Sequence, residues 1–186
     1  RSIHDELVRR LCARLDRVKR GDPTDPSTEY GCMHSAAAAE KVMAQIADLK
    51  AQGAKCVYGG TLKNGTFLEP TVFTNVTKDM PVAKDLEIFG PVIPIIPFDT
   101  VEEAIELANQ TKYGLQAGVV TSDYALGIKI ATKLKAGGVV TNATGNYRHL
   151  DQPFGGFKQS GIGREGVAST LEEFSQEKSY IIRGVL

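Results

Sequence analysis

Val92-Ile93-Pro94-Ile95-Ile96-Pro97-Phe98 is apolar at every position. That pattern predicts a strand buried on both faces, as in a parallel sheet covered by helices. Thr100-Val101-Glu102-Glu103 follows as a capping box and opens a helix to about Gln110. Ala117 to Thr121 reads as a second buried strand. Asp123 can cap a helix to about Lys135, which Gly137-Gly138 ends, and Val139 to Asn142 is a third strand. Strand, helix, strand, helix, strand with short connections is a parallel α/β arrangement. In such sheets ligands sit beyond the carboxyl ends of the strands. The loop from Ala143 to Phe157, long for a connector, is therefore where chemistry is expected.

Upstream of this unit, Ile3, Leu7, Val8, Leu11, Leu15 and Val18 recur at helical spacing, and Lys19-Arg20-Gly21 suits a helix end. Asp22 to Ser27 is turn-rich. Ser35 can cap a second helix with Val42, Ile46 and Leu49 on its apolar face, stopping at Gly53. A short strand, Lys55 to Tyr58, is closed by Gly59-Gly60. Lys63-Asn64-Gly65-Thr66 is a turn before an extended segment from Phe67 to Val76. Downstream, a helix is expected from Arg164 to Phe174 and a last strand from Ser179 to Ile182.

Composition narrows the classes. The 186 residues carry 22 basic and 22 acidic side chains, a net charge of zero that favours neither nucleic acid nor an anionic membrane surface. No apolar run approaches the ~20 residues of a membrane span. The chain begins at Arg1, inside an apparent helix, which reads as a cut through a longer protein. Cys12, Cys32 and Cys56 have no metal or redox spacing, and an odd count suggests reduced thiols and a cytoplasmic protein. No metal site is expected. Four Asn-x-Thr triplets, from Asn64, Asn75, Asn109 and Asn142, are read as chance.

Gly161-Ile162-Gly163-Arg164-Glu165-Gly166 is a literal G-x-G-x-x-G. A dinucleotide fingerprint needs a preceding strand, a following helix and an acid on a second strand ~20 residues on. Phe157-Lys158-Gln159-Ser160 is a poor strand, and no complete βαβ unit fits after Gly166. The run is read as a glycine-rich entry to the last helix.

Glu87-Ile88-Phe89-Gly90-Pro91-Val92, taken with Pro153-Phe154-Gly155-Gly156-Phe157-Lys158-Gln159-Ser160-Gly161 and Gly163-Arg164-Glu165, resembles the aldehyde dehydrogenase superfamily. Gly21-Asp22-Pro23, Pro70-Thr71-Val72, Ala108-Asn109 and Tyr113-Gly114-Leu115 agree in order and spacing. The resemblance implies an α/β fold: a parallel-sheet catalytic domain, here residues 1–158, plus a C-terminal helix and oligomerisation strand, 159–186. It implies oxidation of an aldehyde to a carboxylic acid with NAD or NADP. A Cys thiolate forms a thiohemiacetal, hydride leaves, and a Glu-activated water hydrolyses the thioester. The resemblance places that Cys, that Glu and the N-terminal cofactor domain upstream of Arg1. No catalytic residue is therefore expected in this chain, which alone should neither oxidise aldehydes nor bind cofactor tightly. Of its own thiols Cys32 is the best placed, but it stands where the family has Pro and is read as a turn residue.

For cofactor binding the resemblance points to Glu87, whose two carboxylate oxygens suit the vicinal hydroxyls of the nicotinamide ribose, to Phe89 beside that sugar, and to Lys41. Ala38 stands where a Gln is common. Leu86 reads as one extra residue, and in a helix it would rotate Glu87 by about 100°. On the substrate side, Phe154 should line the tunnel and Arg148 could clamp a carboxylate, which points to an acidic aldehyde such as a semialdehyde. Asn142 is expected to fix the loop backbone. The expected partners are an aldehyde, the missing cofactor domain and further copies of the chain. A rival reading fits the same residues: a truncated, non-catalytic scaffold or oligomerisation partner.

Overall fold

The computed structural model describes residues 1–184, which form two compact units, Arg1–Gln110 and a second that begins at Thr111.

The first unit is built around helix α2. Helix α1, His4–Leu15, precedes it and carries Glu6 between Arg9 and Arg10. Helix α2 spans Ala36–Ala51; the Ser35 hydroxyl accepts from the Ala38 amide, and the chain leaves through Gly53 at φ 95°. Strand β1, Lys55–Tyr58, follows. Strands β2, Leu62–Lys63, and β3, Phe67–Leu68, form a hairpin across the loop 64–66, in which Asn64 and Gly65 both take positive φ. Strand β4, Thr71–Thr74, is buried along its whole length. It pairs antiparallel with β1 and parallel with β5, Val92–Pro94. Val42, Ile46 and Leu49 of α2 pack with Leu68, Phe73, Val76 and Met80 as the core. Each such fully buried side chain stabilises by about 1.5–3 kcal/mol. Helix α3, Val101–Asn109, closes the unit. The Thr100 hydroxyl accepts from the Glu103 amide, while the Glu103 carboxylate reaches back to the Asp99 amide at 2.7 Å.

Arg20 ties the end of the first helical region to the hairpin. Its guanidinium donates to Tyr58 Oη at 2.8 Å and to Glu69 at 3.2 Å. Glu69 also accepts from Thr61 and Lys63. Those two hydrogen bonds, with the flanking cations, hold its carboxyl below the usual glutamate range against the opposing effect of burial.

The second unit holds β6, Gln116–Val119, and β7, Gly138–Thr141, paired parallel and joined by α4, Tyr124–Ala131, with Asp123 capping at Leu126. Asn142 ends β7 at φ 61°, and its Oδ1 accepts from the Thr121 amide at 2.9 Å. Helix α5 spans Val167–Glu173.

Four expectations differ in extent. The all-apolar stretch 92–98 pairs only as far as Pro94, with one further bond from the Ile95 amide to Phe73, because Pro94 and Pro97 lack donors. Helix α5 starts at Val167, not Arg164, because Glu165 is committed to a two-way backbone bridge with Phe154. Ser179–Ile182 pairs with no strand among the described residues, and Tyr180 and Ile181 are exposed. The three consecutive parallel strands are observed as a parallel pair in each unit, β4 with β5 and β6 with β7.

Candidate active site

Glu87, Phe89 and Lys41 line one cleft of the first unit, about 800 Å³ in volume. Its floor is the face of α2 that the core leaves free. Ala39, Val42, Ile46 and Leu49 turn inward, while Ala38, Lys41 and Gln45, spaced three and four apart, face the cleft. The opposite wall is the segment 86–90. That segment is not helical, and exposure alternates along it: Ile88 packs on the core while Glu87 and Phe89 stand out, Phe89 at 77%. The rotation expected from an extra Leu86 does not arise, because an extended chain keeps residues two apart on one side. Gly90 presses this wall against α2; a Cβ there would lie 2.9 Å from both Cγ atoms of Val42.

The Glu87 side chain makes no hydrogen bond or ion pair with another described residue, nor does that of Lys41. An unengaged carboxylate, an exposed ring and an ammonium thus border one cleft. Helical spacing on α2 could have added Gln45 to the sequence-based set. Cys32 and His34 also border the cleft, from the loop ahead of α2. Cys32 is exposed, whereas burial and neighbouring Asp16 push the Cys12 thiol up. Among the described residues no cluster of potential metal ligands occurs, and no helix is long and apolar enough to cross a membrane.

Phe154 and Arg148 line a second pocket, of about 450 Å³, wholly within the second unit, with Leu115, Gln116, Gly145 and Asn146. The Arg148 guanidinium lies over the Phe154 ring, 4.1 Å from its centroid, and pairs with Glu165 at 3.3 Å. Gln116 supplies a buried side-chain oxygen with no donor among the described residues. The strand-end loop is held from below: Arg164 donates to the carbonyls of Gly156 and Gly163. Gly137 admits Gly155 so closely that any Cβ would overlap its carbonyl oxygen.

The glycine-rich run 161–166 is not a phosphate cradle. A 3₁₀ turn, Lys158–Ser160, precedes it, and the Arg164 amide is taken by the Glu173 carboxylate at 2.8 Å. An anion there would meet a like charge.

A profile of the aldehyde dehydrogenase family matches residues 1–180. The chain belongs to the aldehyde dehydrogenase family. A betaine aldehyde dehydrogenase of Mesorhizobium japonicum is 43% identical over 186 residues, covering 97% of this chain and 38% of that protein. The aldehyde dehydrogenase of Mycobacterium tuberculosis, complexed with NAD+, superposes with a TM-score of 0.88 at 39% identity, covering 96% of this chain and 37% of that one. Aldehyde dehydrogenase 21 of Physcomitrella patens, in complex with its reaction product succinate, gives 0.86 at 35% identity, covering 92% and 35%. The α/β architecture read from strand and helix order is thus that of this family. The chain spans 38% of the length of the curated relatives it matches.

Proposed function

We propose that this chain supplies the C-terminal part of the active site of an NAD(P)-dependent aldehyde dehydrogenase that converts an aldehyde to a carboxylic acid. The observation that carries this reading is the convergence of Glu87, Phe89 and Lys41 on one cleft. Glu87 would accept hydrogen bonds from the nicotinamide-ribose hydroxyls, Phe89 would pack against the sugar, and Lys41 would offer its ammonium from α2. NAD or NADP, when bound, supplies the hydride acceptor. The work of these side chains is orientation: they fix the ring where hydride transfer is in reach. Phe154 would form an apolar wall for the acyl group, and Arg148 would border it. None of the three cysteines serves as the nucleophile in this reading.

The enzyme is expected to be cytoplasmic and oligomeric. Val167, Leu171 and Phe174 leave one side of α5 exposed, with Ile181 beyond it, a surface suited to a further copy of the chain. The same exposure favours the second reading, a non-catalytic scaffold. The reading frame around Arg1 separates the two. An upstream Cys with a Rossmann-type pattern, and NAD(P)-dependent aldehyde oxidation by the complete product, supports the enzyme. A start codon near Arg1 supports the scaffold. Aldehyde turnover by the purified 186-residue chain alone would overturn this division of labour between the chain and the segment upstream of it.

A further inference from the structure

The Phe154 ring already carries a cation. Arg148 sits 4.1 Å from its centroid, and among the described residues no other aromatic side chain lines that pocket. The arrangement is locked from two sides. Glu165 holds the guanidinium through its carboxylate, and the Glu165 backbone exchanges hydrogen bonds of 2.8 and 2.6 Å with Phe154. Ring, guanidinium and counter-charge therefore lie in one stack.

We infer that Arg148 is a specificity-determining residue that selects against aldehydes bearing a quaternary ammonium, an inference resting on the pocket being the acyl side proposed above. A quaternary ammonium has no N–H to donate, so its recognition depends on open aromatic faces. Here one ring face carries a guanidinium, and the one carboxylate of the stack is already paired. A cationic acyl group entering this pocket meets like charge on the ring face that Arg148 occupies. A neutral group of the same shape keeps the apolar wall and meets no such repulsion. Several relatives bear the name betaine aldehyde dehydrogenase, and betaine aldehyde is such a cation. The Arg148–Phe154 stack separates this chain from that substrate despite the shared sequence.

The test compares betaine aldehyde with 3,3-dimethylbutanal, which has carbon in place of the quaternary nitrogen. The complete enzyme carrying this chain is assayed with NAD, and kcat/KM is taken on the unhydrated aldehyde, its fraction measured by proton NMR. The cationic substrate is expected to be at least about tenfold poorer, about 1.4 kcal/mol. Arg148→Ala and Arg148→Gln both uncover the ring and should each raise the cation-to-neutral ratio about tenfold. The ratio is independent of how much enzyme folds. A ratio at or above one in the unmodified enzyme, or one unmoved in both variants, overturns the inference. Oxidation of no aldehyde at all overturns the enzymatic reading itself.

Discussion

Gly90→Ala should damage both stability and cofactor affinity, for a reason measurable in isolation. Gly90 does not sit at positive φ, so alanine adds no backbone strain there. What it adds is one methyl, 2.9 Å from both Cγ1 and Cγ2 of Val42 and 3.4 Å from its Cβ. Carbon pairs are most stable at about 3.5–4.0 Å, so two contacts are short by ~0.6 Å or more. Val42 cannot yield easily: it is 2% exposed and, as a β-branched residue in a helix, is restricted to one rotamer. The wall must move off α2 instead. Overpacking of this kind costs about 1–3 kcal/mol, and at ~2–4 °C per kcal/mol for a chain of this size the melting temperature should fall by roughly 4–8 °C for ~2 kcal/mol. The KM for NAD should rise as Glu87 and Phe89 are displaced. The assay is a double-mutant cycle by urea unfolding. Val42→Ala alone should cost about 2 kcal/mol by leaving a cavity, but in the double variant the new methyl fills that space, so the two costs should fall short of their sum by about 1 kcal/mol. Strict additivity would refute the contact and, with it, the way the cleft wall is held.

Three further outcomes are expected. Glu87→Gln should raise the KM for NAD by about tenfold or more, the scale of a charge-assisted hydrogen bond, while leaving the melting temperature unchanged, since Glu87 has no partner among the described residues; a fall in stability with an unaltered KM would contradict this. The Glu69 carboxylate is depressed in the fold, so its stabilising contribution is present above the ordinary glutamate range near 4.5 and is lost as pH falls through its lower folded value. Glu69→Gln should flatten the acid limb of stability against pH, and an acid limb of unchanged slope would refute the role of the Arg20–Glu69–Lys63 network. Ser35→Ala removes the cap of α2 and should cost about 1 kcal/mol by urea unfolding, with Ser35→Asp retaining most of it.

Local chemistry made much of the fold legible. Ser35 and Thr100 cap the helices they were expected to open, Lys55–Tyr58 forms its strand, and Asn64-Gly65 makes its turn. The two caps and the turn depend on contacts within a few residues, while the strand was marked by its apolar, β-branched composition and the glycines that close it. Extent was less legible, because it depends on partners: prolines cut short the pairing of 92–98, and the Phe154–Glu165 bridge delays α5. At the candidate site, Glu87 and Phe89 stood out through motif, and their shared side follows from an extended path. Gln45 was missed although its spacing from Lys41 places it on the same helix face. The Arg148 stack could not be foreseen, since residues 148, 154 and 165 meet only through the loop's tertiary course.

The cleft between α2 and the Glu87–Phe89 wall is proposed to receive the nicotinamide ribose. A crystal structure of the complete enzyme with bound NAD tests it directly. The expected result is a Glu87 carboxylate within ~2.5–3.2 Å of both ribose hydroxyls, with the Phe89 ring against the sugar. Density for the ribose elsewhere, with Glu87 facing solvent, would remove Glu87 and Phe89 from the cofactor site.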